Sequence, residues 1–388
     1  MHKIIALFFF ILMVKIGQAQ QEVTVFESGT EGYKIFRIPS IIQTPKKTIV
    51  AFAEGRKNGG ADFGDIKIVM KKSMDKGKTW SSLKVVASYA HWQVGNAAPV
   101  VDLLDPNYPN GKIYLFYNTG NVSEMDLRQG KGVREVWYIS SEDEGETWTA
   151  PVNITTQVHY PNGTMEGRTY TSDKDWRTYA NTPGHATQCL EGKFKGRIFI
   201  AANHSQGGSK PNFKDYFSHG YYSDDHGKTF KLSSTIDIAG SNEATAAFLS
   251  NDRLILNARN QSGDIKSRIV SFSNNGGESF EKANFDNALS DPVCEGAILN
   301  IGKLKGKAIL AFVNAADTVN RNNLSLKISF DEGKTWPIQR LVDGTTNPIL
   351  SQKDFTAYAD LIKTGRREIG VLYEKENYRK MVFKLVKW

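Results

Sequence analysis

Five octapeptides in this 388-residue chain share one template, Ser-x-Asp-x-Gly-x-Thr-aromatic. They begin at Ser73, Ser141, Ser223, Ser273 and Ser329 and end at Trp80, Trp148, Phe230, Phe280 and Trp336. The fourth copy is worn, with Asn275 for the aspartate and Ser279 for the threonine. Aspartate accepts hydrogen bonds from its own backbone and glycine supplies a positive φ, so each copy predicts a tight turn. The threonine and aromatic are expected to begin the next strand, with the aromatic packed under the turn. One copy would mean only a turn. Copies at steps of 68, 82, 50 and 56 residues mean a repeating architecture. The average step, roughly 64 residues, holds one four-stranded sheet and its loops, which is the blade of a β-propeller.

The rest of the chain reads as all-β. Short runs rich in Val, Ile, Phe and Tyr recur at Thr48–Ala53, Ile66–Met70, Ile113–Tyr117, Val136–Ile139, Ile198–Ala202, Arg253–Asn257, Ala308–Val313 and Ile369–Tyr373. Gly, Asn, Asp or Pro bound them. No segment keeps a helical period over four turns, and Ser241 to Ser250 would make at most a short helix.

Residues 1–19 have the pattern of a secretory leader: Lys3, eleven unbroken apolar residues from Ile4 to Val14, then small Gly17 and Ala19. Eleven residues are too few to span a bilayer, which takes about 20. A secreted or periplasmic location follows as an expectation. Residues 20–388 would then form one domain of six blades of about 60 residues, with no linker and no appended module. The formal charge of +8 is mild for this length and lacks the clustered Lys/Arg of a nucleic-acid binder. Cys189 and Cys294 make neither a disulfide framework nor a zinc motif, and the sequence leaves their pairing open. No His, Asp or Glu cluster has metal-ligand spacing, so neither metal nor cofactor is expected. Of the six Asn-x-Ser/Thr triplets, the one at Asn260 directly follows Arg259.

The octapeptide resembles the Asp box of sialidases, where it is structural, and further motifs extend the resemblance from Phe36 to Glu374. Phe36-Arg37-Ile38-Pro39 resembles the opening signature of that family. Arg259 and Arg321 fall where the family places the rest of an arginine triad that grips a sugar carboxylate. Guanidinium forks suit that task because they are always charged and bidentate. Ala357-Tyr358-Ala359-Asp360-Leu361 is similar to the family's Tyr-Ser-Asp-Leu, with Ala359 for serine, and implies Tyr358 as nucleophile. A phenol meets a carboxylate-bearing carbon without like-charge repulsion, and sialidases depart from the two-carboxylate rule in this way. A phenol also needs a base, and Glu243, sixteen residues before Arg259, is the candidate.

Asp62, in Gly60-Ala61-Asp62-Phe63-Gly64-Asp65, resembles the family's acid/base, a role that asks for a raised pKa. Asp65 is its near competitor. Glu374 resembles the carboxylate that orients the first arginine. Arg56 and Asp102 look like contacts to the sugar's 4-hydroxyl side, and Trp92 and Phe63 are aromatics near an N-acetyl pocket. The resemblance implies a monomeric, retaining exo-α-sialidase acting on sialylated glycans. A trans-sialidase, or a lectin on the same propeller, are the alternatives. A lectin would need none of Asp62, Glu243 and Tyr358.

Overall fold

Each octapeptide closes a tight turn in the computed structural model, which describes residues 22–388. The leader assigned to residues 1–19 lies outside the described residues. In the first copy the Ser73 hydroxyl accepts from the Gly77 N–H at 2.8 Å and donates to Asp75 Oδ1. Asp75 in turn accepts from the Thr79 N–H at 2.9 Å and the Thr79 hydroxyl at 2.7 Å. The same set recurs around Asp143, Asp225 and Asp331, and Asn275 reproduces most of it with Ser279. The turn needs two successive left-handed residues, not the glycine alone. Lys76 and Gly77 stand at φ 63° and 83°, and the worn copy has glycine at both positions, Gly276 and Gly277.

The expectation that threonine and aromatic begin a strand is corrected. After the first turn the next strand starts at Lys84, and after the second at Val152. The threonine N–H is already given to the box carboxylate, so a ladder cannot use it. The aromatic folds down instead. Trp80, Trp148, Phe230 and Phe280 meet Phe383, Phe52, Phe116 and Phe199 edge-on, at centroid distances of 5.6 to 6.3 Å.

These turns join antiparallel strands that meander in chain order. Ser241–Phe248, Leu254–Asn260, Ser267–Ser273 and Asn284–Ser290 make one sheet, and Gly296–Leu304, Lys307–Ala315, Leu324–Ser329 and Ile338–Asp343 another. A five-stranded sheet is built on Trp176–Asn181, Ile198–Gln206 and Tyr216–Ser223. An eight-stranded sheet runs from Ile35–Gln43 to Val152–Asn153, and a single parallel bridge, Ile66 to Gln93, links its two halves. In the last sheet the N-terminal strand Glu22–Glu27 pairs with the C-terminal strand Lys380–Lys387, beside Glu368–Lys375 and Thr356–Gly365. The first strands of these units touch in a ring, Thr356–Gly365 closing back onto Ile35–Gln43. The fold is an all-β β-propeller. The doubtful segment at Ser241 is strand. Among the described residues no helix is long and apolar enough to cross a membrane.

The core lies between sheet faces rather than in one centre. Leu324, Leu326 and Ile328 interdigitate with Leu361, Val371 and Val382, and Phe199 and Ala201 with Leu254 and Leu256. The inner strands other than Gly296–Leu304 share one irregularity that matters for function. Their pairing register slips between Arg37 and Ser40, Gly95 and Ala98, Trp176 and Tyr179, Ser241 and Ala244, and Thr356 and Ala359. A bulge re-aims the side chains beside it, and here the bulges carry Arg37, Asn96, Thr178, Glu243 and Tyr358.

The box carboxylates make stability depend on acid. Donation from the Thr79 N–H and hydroxyl pushes Asp75 down to about 2. At Asp143 desolvation works upward, but donation from Thr147 outweighs it and the carboxyl again lies at about 2. A depressed folded-state pKa gives stability that is complete above the unfolded value, about 3.9, and is lost as pH falls through the folded one. Thermal unfolding should therefore weaken from about pH 4 toward pH 2, and a flat profile there would contradict this account. Asp225→Ala, which strips four acceptor contacts from a half-buried turn, should cost about 1–2 kcal/mol in denaturant unfolding at pH 7.

Candidate active site

The bulges open onto a polar cavity of about 230 Å³ at one mouth of the ring. Arg37, Arg56, Asp62, Glu243, Arg259, Arg321 and Tyr358 all line it. These residues span almost the whole sequence, and the ring closure brings them together.

Glu374 sets the first arginine. Its Oε1 accepts from Arg37 Nε at 2.7 Å and from the Ile38 N–H at 2.8 Å, and its Oε2 from the Tyr358 N–H at 3.2 Å. Ile38 is a β-branched residue at φ 58°, a conformation that needs outside support. The Glu374 carboxylate supplies it while turning the Arg37 guanidinium over the Tyr378 ring, 3.9 Å from its centroid. Arg321 reaches the same corner, with Nη1 3.0 Å from the Tyr378 hydroxyl and Nη2 bonded to the Val293 carbonyl at 3.1 Å. Arg37 and Arg321 lie 5.3 and 5.5 Å from the Tyr358 ring centroid.

Tyr358 is the hub. Its hydroxyl lies 2.7 and 2.9 Å from the two Glu243 oxygens and accepts from Arg259 Nη1 at 2.8 Å. Arg259 Nη1 also meets Glu243 at 2.7 Å. Burial pushes the phenol far above its ordinary pKa, Glu243 adds to this, and Arg259 and Arg321 only partly offset it. The resting phenol is therefore neutral, with its proton aimed at a carboxylate.

Asp62 stands on a loop at the rim, its side chain 72% exposed, paired with Arg56 Nη1 at 2.7 Å. Desolvation works upward, but the Arg56, Arg37 and Arg134 guanidiniums prevail and hold its carboxyl below the usual range. This is the reverse of the raised pKa the acid role asks for, because the charges that await an anion also surround the acid. Asp65 turns away to Lys57 at 3.2 Å and does not line the cavity.

Arg56, fully buried, is clamped by Glu54 and by the Gly60 carbonyl. Asp102 must be corrected. It ends the strand Gln93–Asp102 at the opposite end from the bulge, so strand length carries it away from the cavity. There its Oδ1 accepts from Gln188 Nε2 at 2.6 Å, and Oδ2 lies 2.7 Å from His226 Nδ1, with Asp105 alongside. Trp92 donates to Glu166 and, like Phe63, does not line the cavity. Cys189 and Cys294 are free and buried, and burial pushes the Cys294 thiol up to about 12.

Several cavity residues were missed from sequence: Glu54, Gln93, Asn96, Glu124, Arg134 and Tyr216. Glu54 had a readable signal, since it stands two residues before Arg56 and so shares its strand face. Asn96 comes from a bulge, Glu124 from a short helix, and Gln93, Arg134 and Tyr216 from the first positions of strands, placements that no spacing announces. A larger cavity of about 510 Å³ opens at the other end of the inner strands, with mainly apolar walls and none of the candidate catalytic groups.

The BNR repeat-like domain family matches residues 47–371. This chain belongs to the BNR-repeat sialidase family. A sialidase of Micromonospora viridifaciens is 27% identical over 375 residues, covering 89% of this chain and 51% of that protein. A sialidase of Bacteroides fragilis is 26% identical, with coverage of 94% and 64%, and an exo-alpha-sialidase of Arthroderma benhamiae is 28% identical, with coverage of 94% and 86%. The chain thus spans about half to two thirds of the two bacterial relatives. Among solved structures, the Hadza microbial sialidase Hz136 superposes with TM-score 0.78 at 23% identity, covering 94% of this chain and 68% of that one. The family's Tyr-Ser-Asp-Leu serine is Ala359 here, and Ala359 is buried among Leu361 and Val371 with its N–H on Glu295. Ala359 makes none of the Tyr358 hydroxyl's bonds, which go to Glu243 and Arg259.

Proposed function

We propose that this sialidase-family chain is an exo-α-sialidase that releases terminal sialic acid from glycans by a retaining, two-step reaction. The observation that carries the reading is the Tyr358 hydroxyl, held between Glu243 and Arg259 with Arg37 and Arg321 beside it. Arg37, Arg259 and Arg321 bind the sugar carboxylate. Asp62 gives its proton to the glycosidic oxygen as that oxygen leaves. Tyr358, passing its proton to Glu243, bonds to the anomeric carbon. Water activated by the Asp62 carboxylate then breaks that bond, and Glu243 returns the proton to Tyr358. An arriving carboxylate offsets the Arg37 charge and closes the rim, both of which lift the Asp62 pKa toward its task.

The same reading takes the eight-stranded sheet as two blades joined by the Ile66–Gln93 bridge, giving six in one domain, in a monomer exported by the leader at 1–19. The low pairing at that bridge supports the count.

The test is turnover of two sialosides by wild type and Asp62→Ala. For an alkyl glycoside, whose leaving oxygen needs a proton, the variant should lose on the order of 10²-fold in kcat/KM. For an aryl glycoside with an acidic phenol leaving group the loss should be several-fold smaller. Equal losses would remove Asp62 from the acid role, and no turnover by wild type would remove the function. Free sialic acid as product supports hydrolysis, and a transferred or anhydro sugar would support transfer.

A further inference from the structure

Residues 291–295 join the strand Asn284–Ser290 to Gly296–Leu304, and two of the three carboxylate-binding arginines lean on this connector. The Val293 carbonyl accepts from Arg321 Nη2 at 3.1 Å. Asp291 Oδ2 accepts at 3.1 Å from the N–H of Asn260, the residue after Arg259. Cys294 packs with Tyr358, and Glu295 accepts from the Ala359 N–H at 3.0 Å. None of residues 291–295 lines the cavity.

The first four of these residues belong to no strand, so side chains must hold them. Val293 is β-branched and stands at φ 64°, where such a residue stays only under constraint. The constraint is a buried ion pair. The Arg268 and Asp291 side chains are 0% and 1% exposed and meet at 3.2 Å. Asp291 Oδ1 accepts from the Cys294 N–H at 2.8 Å, and Arg268 Nη1 donates to the Cys294 carbonyl at 2.6 Å. Both polar groups of the residue after Val293 are therefore gripped by the same pair. Arg268 Nε is fixed in turn by Asn257 Oδ1 at 2.7 Å, two residues before Arg259 on one strand. A buried ion pair is a weak source of stability beside apolar packing of the same volume, and its better-attested use is to fix one geometry.

We propose that Asp291, held by Arg268, is a positioning residue for the carboxylate site: it sets Arg259 through Asn260 and Arg321 through the Val293 carbonyl, as Glu374 sets Arg37. This rests on the sialoside reading above. Neither member of the pair touches substrate. With asparagine at 291 only one arm can accept, so either the Cys294 N–H or the Asn260 N–H loses its tie. The strained φ of Val293 then relaxes, and the two guanidiniums move off the carboxylate.

The experiment titrates wild type, Asp291→Asn and Arg268→Lys by calorimetry with the ring-unsaturated analogue of sialic acid and with its carboxyl methyl ester. The ester keeps the ring and its substituents but offers the guanidiniums no charge. Asp291→Asn should bind the acid about 10- to 100-fold more weakly, the scale of misplaced charge-assisted hydrogen bonds, and the ester within about threefold of wild type. On an aryl sialoside its KM should rise by more than kcat falls. Arg268→Lys keeps the buried charge beside Asp291 but loses the fork that also holds Cys294 and Asn257, and its affinity for the acid should lie between the two. A role in stability alone would lower the melting temperature and leave both dissociation constants of the folded protein unchanged. That result, or equal losses on acid and ester, would overturn the assignment, and Arg268→Lys decides alone if Asp291→Asn does not fold. Wild type that binds neither ligand would overturn the sialoside reading and this one with it. Wild type that binds the acid, with no selective loss in the variants, would overturn the positioning role only.

Discussion

Replacing Tyr358 by phenylalanine should reduce kcat on an aryl sialoside by about 10³- to 10⁴-fold while leaving the fold intact, the scale of removing a covalent nucleophile. The hydroxyl is the only atom lost, and the ring keeps its place among Ile38, Ala357 and Cys294. Arg259 retains its bond to Glu243 at 2.7 Å, so the exposed guanidinium face is still neutralised. KM should therefore change little, because the carboxylate site survives. The decisive readout is covalent: a fluorinated sialic acid analogue that labels wild type at Tyr358 should leave the phenylalanine variant unlabelled. Label on another residue, or undiminished turnover, would reassign the nucleophile.

Glu374→Ala should produce the largest combined loss of stability and activity, about 3–5 kcal/mol in unfolding free energy. Glu374 is 1% exposed and holds three donors at once: the Arg37 guanidinium and the backbone N–H groups of Ile38 and Tyr358. Alanine leaves a buried cation and two buried N–H groups without acceptors. The strained φ of Ile38 then loses its support, so Arg37 and Tyr358 should drift together and activity fall by at least about 10²-fold, as small misplacements of catalytic groups do. Glu374→Gln separates charge from shape. An amide can accept on only one of its two arms, so one of the two bulged strands must lose its tie. It should fall between wild type and alanine in both melting temperature and kcat/KM. A fully stable, active glutamine variant would show that the carboxylate is not what sets these strands.

The repeated turns made the architecture readable because each copy carries its own local hydrogen bonds, independent of the rest of the chain. Arg37, Glu243, Arg259, Arg321, Tyr358 and Glu374 were picked out by local context and by resemblance, and the ring places them around one cavity. Asp102 failed for a plain reason. It belongs to an inner strand, but ten residues of extended chain separate the two mouths of the ring, and sequence alone does not say which end faces which. Arg134 escaped because an arginine that starts a strand is ordinarily a surface charge. Only the ladder across Gly120 shows it lying inward. The direction of the Asp62 shift was likewise hidden, since it depends on three guanidiniums from separate strands.

The strand Glu22–Glu27, hydrogen-bonded along Lys380–Lys387, ties activity to the completion of one sheet. Tyr358 and Glu374 sit on the sheet that this pairing completes, while Arg37 waits near the other terminus. A copy cut before Thr356 keeps Arg37, Arg259 and Arg321 but has neither the Tyr358 phenol nor the Glu374 carboxylate that orients Arg37. Chemical competence therefore depends on the sheet that closes the ring, and a copy cut before Thr356 would be inert rather than partly active.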